Sequence, residues 1–82
     1  MDRNLNLEIV SPEKVIFSGE IELVEMPGKR GRFTILKNHA PIISSLSNGP
    51  IRVKTTDGNE LSFDCLAGYV ECSDNNVSIL LN

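Results

Sequence analysis

The sequence predicts an all-β fold, a small sandwich or flattened barrel of about eight to ten short strands. Three observations predict it: apolar and polar residues alternate through successive runs, turn residues separate those runs at close spacing, and no stretch holds a helical period. Composition agrees. Apolar residues make up 40% of the chain but aromatics only 5%, with no Trp, so Ile, Leu and Val must fill the core, and branched side chains suit pleated strands. With 82 residues there is room for a single domain, 1–82, and none for a second. A chain of this size buries roughly 60–65% of the surface its unfolded form exposes.

The elements follow in order. Leu5, Leu7 and Ile9 alternate with Asn4, Asn6 and Glu8, and the strand stops at Ser11-Pro12, where proline cannot donate to a ladder. A second short strand places Val15 and Phe17 inward, and Ser18-Gly19 is read as a turn. Beyond it Ile21 and Leu23 point in while Glu20, Glu22 and Glu25 face water. Val24 and Met26 break that parity, which predicts a bulge or a change of sheet near Leu23-Val24. Pro27 to Gly31 reads as an exposed turn, followed by Phe33 and Ile35 alternating with Arg32 and Thr34. His39-Ala40-Pro41 ends that strand. Ile42, Ile43 and Leu46 form another, and Asn48-Gly49 turns the chain into Ile51, Val53 and Thr55.

Two hairpins can be read in register, because opposed residues share a face and a slip of one would set Val53 against Ser62. A three-residue loop, Thr56-Asp57-Gly58, with Gly58 left-handed, opposes Val53 to Leu61 and Ile51 to Phe63, burying both strands. A four-residue loop, Ser73 to Asn76, opposes Cys72 to Val77 and Val70 to Ile79.

Charge and motifs exclude more than they assign. A net charge of -3 and 23% charged residues are ordinary for a soluble domain. No apolar run approaches the ~20 residues that cross a bilayer, and Met1 to Asn4 lacks the layout of a signal peptide, so a soluble intracellular protein is expected. Cys65 and Cys72, outside any Cys-x-x-Cys spacing, are expected as buried thiols acting as small hydrophobes. The one histidine, His39, has no nucleophile, second ligand or orienting carboxylate beside it, so hydrolysis and metal binding are not expected; it fixes the turn, meets a partner, or both. Asp64 and Glu71 could be proposed as an acid/base pair, but carboxylates along strands more often keep the surface soluble, as Glu20, Glu22 and Glu25 do. The glycines stand singly at turns and build no phosphate loop. No cofactor is expected.

Lys29, Arg30, Arg32 and Lys37 hold half of the eight basic residues in one short stretch, a patch able to meet acidic protein, phosphate or anionic lipid. Nucleic acid is not favoured, since stacking platforms are missing: only Phe33 is near, and the alternation turns it inward.

Certain residues in order carry a resemblance. Val10-Ser11-Pro12-Glu13 precedes Phe17-Ser18-Gly19; then come Gly31-x-Phe33-x-Ile35, His39-Ala40-Pro41, Gly49-x-Ile51, Gly68-x-Val70-Glu71 and Asn76-Val77-x-Ile79-Leu80. This order resembles the epsilon subunit of F-type ATP synthases over the whole length. The resemblance implies a non-catalytic subunit of the rotating central stalk. It would link the gamma subunit to the membrane c-ring and couple proton or sodium flow to ATP synthesis, at the cytoplasmic face of the bacterial inner membrane and bound to the membrane only through the complex. It also implies a c-ring contact at Arg32, Lys37, Asn38 and His39, and a gamma contact on the flank from Ile42 to Pro50, including Ser44 and Pro50. Three features depart from the family. The position of Arg32 is commonly acidic or polar, and the usual Gly-Gly reads Ala67-Gly68. Relatives commonly continue into a two-helix domain that in some members binds ATP and inhibits hydrolysis; the sequence ends at Asn82, and neither property is expected of it. The alternative reading is a free-standing β-sandwich module that binds protein or nucleic acid.

Overall fold

The computed structural model describes residues 4–82; Met1 to Arg3, which the reading above placed in the single domain and found unlike a signal peptide, lie outside the described residues. Eight strands form: β1 Leu5–Val10, β2 Val15–Gly28, β3 Gly31–Leu36, β4 Ile42–Leu46, β5 Gly49–Thr55, β6 Glu60–Cys65, β7 Gly68–Ser73 and β8 Asn76–Leu81. The number lies at the lower end of the expected range because β2 is one strand of 14 residues where two had been expected. Ser18-Gly19 is not a turn. The two residues sit in the ladder opposite Glu8 and Leu7, and a Cβ on Gly19 would stand 3.5 Å from the Phe17 ring, an ordinary contact distance.

The length of β2 organises the fold. Its first half pairs with β1; its second half pairs with β3 on one side and β5 on the other. Along the chain of pairings the strands run β1-β8-β7-β4-β2-β5-β6. One layer is therefore β1, β8, β7 and β4, and the other is β3, the end of β2, β5 and β6. The crossover is the expected parity break, one step early. Its register shifts against β5 between Ile21 and Leu23, so Ile21 is buried before the shift and Val24 and Met26 after it. Leu23 does not point in as expected: it lines an outer groove with Glu25, Arg52 and Lys54.

β1 and β8 lie parallel, Leu7 beside Val77 and Ile9 beside Ile79, a pairing that the sequence alone did not show. Both hairpin registers hold, with Ile51 opposite Phe63, Val53 opposite Leu61, and Cys72 opposite Val77. Their details differ. Ser73 pairs with Asn76, so the second loop is only Asp74-Asn75, with φ of 50° and 63°, as a type I′ turn requires. Leu61 is exposed, because β6 has a neighbour on one side only. Val15 is also exposed, since a bulge after Ile9 pairs it with Val10 at the rim. In the β2–β3 turn only Lys29 and Arg30 are outside the strands; Pro27 and Gly28 are buried.

Every strand contributes to one core, from Leu5, Leu7 and Ile9 in β1 to Val77 and Ile79 in β8. Cys65 and Cys72 belong to it as free thiols, as expected. The rings of Phe17 and Phe63, 5.8 Å apart and tilted, tie the start of β2 to β6 across the layers.

Candidate functional site

β3 is an edge strand, paired only with β2, and the candidate docking residues lie at its two ends. Arg32 is near its start, opposite Pro27, while Lys37, Asn38 and His39 follow its last residue, Leu36. Five residues of extended chain, roughly 16 Å, separate Arg32 from Lys37. The four cations and polar groups thus line one edge and do not share one loop tip.

Arg32 is held from within. Its Nε lies 3.3 Å from Glu25 Oε2, and its Nη2 donates to the Pro50 carbonyl at 2.7 Å. The acceptor is open for a topological reason: the β2–β5 ladder ends at the Glu25–Arg52 pair, two residues before Pro50 is reached. Arg32 caps that carbonyl. Two residues expected on different contacts, Arg32 and Pro50, are therefore partners in one corner of the molecule.

The turn after β3 is built differently. The His39 amide donates to the Leu36 carbonyl at 3.1 Å, with Asn38 at φ 66° in the third position, a conformation that asparagine tolerates better than most residues. His39 Nδ1 meets the Ala40 carbonyl at 2.7 Å, so the imidazole does fix the turn. From outside the loop comes Asn75. Its Oδ1 accepts the Asn38 amide at 2.6 Å, and its Nδ2 donates to Asn38 Oδ1 at 3.1 Å.

Ser44 lies mid-strand in β4 opposite Val70, and its hydroxyl donates to the Ser45 carbonyl at 3.3 Å. Ile43, next to it in the strand, points to the opposite, outer face and is 75% exposed, and across that outer face Tyr69 and Leu80, cross-strand partners, are exposed too. A face with three large apolar side chains in water is suited to a protein partner. The sequence reading missed Ile43 and Tyr69 as surface residues, because alternation gives a face but not which face is covered. It also missed Asn75, whose only signal was the turn-forming run Asp74-Asn75-Asn76.

Chemically the site holds and presents; it does not assemble reactants. Asp64 is on β6 opposite Pro50 and Glu71 on β7 opposite Ile43, so the two carboxylates belong to different layers. Among the described residues no group of three His, Cys, Asp or Glu side chains could hold a metal ion. Phe33 is half-buried against the core, as expected, and its remaining surface lines a shallow groove with Lys29 and Arg30.

These features define a small β-sandwich with an exposed edge strand and an exposed apolar face. The comparisons give its family. The sequence model of the ATP synthase delta/epsilon chain β-sandwich domain matches residues 4–82. The ATP synthase epsilon chain of Chlorobaculum tepidum is 40% identical over 79 residues, which are 96% of this chain and 90% of that one. The epsilon chain of Leptospira borgpetersenii is 39% identical over 77 residues, 93% of this chain but 59% of its own length. The chain therefore belongs to the ATP synthase delta/epsilon chain family. Its fold also matches a chain in the cryo-EM structure of the Euglena gracilis mitochondrial ATP synthase (OSCP/F1/c-ring), with TM-score 0.88 at 16% identity, covering 95% of this chain and 50% of that one. A chain of the Tetrahymena thermophila central stalk and c-ring structure matches with TM-score 0.82 at 16% identity, covering 98% and 64%.

Proposed function

We propose that this chain is an epsilon-type, non-catalytic subunit of the central stalk of an ATP synthase, linking the gamma subunit to the c-ring and transmitting rotation between proton or sodium flow and ATP synthesis. The observation that carries the reading is family membership over 4–82 together with a relative matched over 90% of its length. It works at the cytoplasmic face of a bacterial inner membrane, as a peripheral part of the complex, and residues 1–82 act as one domain. The ring contact runs along edge strand β3, with Lys37, Asn38 and His39 at one end and Arg32 at the other. The gamma contact uses the flank from Ile42 to Pro50, with Ser44, the exposed Ile43 and Tyr69 beside it, and Pro50 held in place by Arg32.

The experiment is co-elution with the gamma subunit encoded by the same genome, followed across a salt series. A complex at micromolar concentration that persists in high salt is expected, because apolar contacts on the β4–β7 face are not screened whereas exposed charge pairs are. Absence of a complex in low salt would sink the reading.

A further inference from the structure

We infer that Asn75 is a positioning residue for partner docking: through its paired hydrogen bonds with Asn38 it sets the turn that presents Lys37 and His39. The inference rests on the stalk reading for the identity of the partner, but its geometry is independent of it. Asn75 is the one buried polar side chain among the described residues, with 9% of its surface exposed. A buried amide has to find partners, and this one spends its two side-chain bonds on a loop 37 residues away in sequence. The two bonds run in opposite directions between the same two residues, so they fix orientation as well as distance. The backbone of Asn75 is fixed as well, its carbonyl accepting the Asn6 amide at 2.9 Å. Asn75 thus connects β1, the β7–β8 turn and the loop after β3.

Two further bonds in the loop are local to it. The His39 amide donates to the carbonyl of Leu36, the last residue of β3, and the His39 ring bonds to the Ala40 carbonyl. Both asparagines stand at positive φ, 66° and 63°, so either can be replaced by glycine without backbone strain while the clamp is removed. That makes the clamp testable apart from the fold. Asp74→Gly, at φ 50° in the same turn but outside the clamp, is the matched control.

Asn75→Gly, Asp74→Gly, His39→Ala and the double variant Asn75→Gly/His39→Ala are assembled into the complete ATP synthase in membrane vesicles. ATP-driven ion pumping, followed with both a proton and a sodium probe, is measured at limiting concentration of this subunit, and amide exchange at Asn38 is followed in the isolated chain. In Asn75→Gly, Asn38 exchange is expected to rise by about tenfold or more, as for loss of a hydrogen bond to a buried partner. The half-saturating concentration should rise to the level of His39→Ala, and the double variant should be no worse than either single one, since both act on the same contact. Asp74→Gly should leave pumping unchanged. If Asn38 exchange rises and pumping half-saturates at the wild-type concentration, or the two losses simply add, Asn75 is structural only and the inference falls. Failure of the wild-type chain to restore pumping at any concentration would instead overturn the stalk reading, and this inference with it.

Discussion

Gly68 is the glycine with the least room for a side chain. A Cβ there would lie 2.2 Å from the Leu80 carbonyl oxygen and 3.2 Å from Leu81 Cα, backbone atoms of the neighbouring strand that cannot swing aside. Gly68→Ala should therefore push β7 from β8 and lower stability by about 3 kcal/mol, the upper part of the usual cost of overpacking. That is a large share of the roughly 4–12 kcal/mol available to a chain of this size. Ala67→Gly, by contrast, should cost only about 0.5–1 kcal/mol through added chain entropy. Urea midpoints at constant m decide the matter: if Gly68→Ala matches Ala67→Gly, the Leu80 carbonyl has slack that the structure does not show. The sequence showed Ala67-Gly68 as a departure from a paired glycine; the structure shows which glycine is indispensable. It could not show the partners of Arg32. Glu25 and Pro50 lie 7 and 18 residues from it, and their meeting depends on where the β2–β5 ladder ends, which no local pattern encodes. The pairing of Asn38 with Asn75, 37 residues apart, was illegible for the same reason.

At the scale of elements, what could be read was what turn chemistry fixes. Gly58 at φ 90° set the register of β5 and β6, and alternation set that of β7 and β8 even though the loop was taken as longer than it is. β2 was misread at Ser18-Gly19 because glycine in a strand and glycine in a turn are the same letter, and only the pairing with β1 distinguishes them here. The strands also differ in security. β6 is bonded to β5 alone, whereas β7 lies between β4 and β8. Cys65 in β6 and Cys72 in β7, each 1% exposed, report on that difference. Local opening should release an edge strand before a central one. Pulsed alkylation of the native protein with mass-spectrometric readout should therefore label Cys65 several times faster than Cys72. Equal rates would mean that the sandwich opens only as a whole.

At the scale of the whole molecule, the two layers are closed by one apolar core, and each layer commits a thiol to it. Burial raises both thiols above the ordinary value of 9.0, because the thiolate would lose its hydration. The sign of the resulting pH dependence follows. Above pH 9 the unfolded chain gives up these protons while the folded chain retains them, so the folded state binds more protons and stability falls as pH rises. The opposite case is Asp57, whose carboxylate is held below its ordinary range mainly by the Thr55 hydroxyl, so its contribution is present above that range and lost only in acid. It is fully exposed and cannot shape the alkaline limb. Urea midpoints under reducing conditions should thus be lower at pH 10 than at pH 7.5. In Cys65→Ala/Cys72→Ala the fall should be visibly shallower, although that variant starts from a lower stability because two core side chains have been trimmed. An alkaline fall as steep in the double variant as in the native chain would assign it to groups other than the two thiols. The thiols would then be packing residues with no part in the pH response.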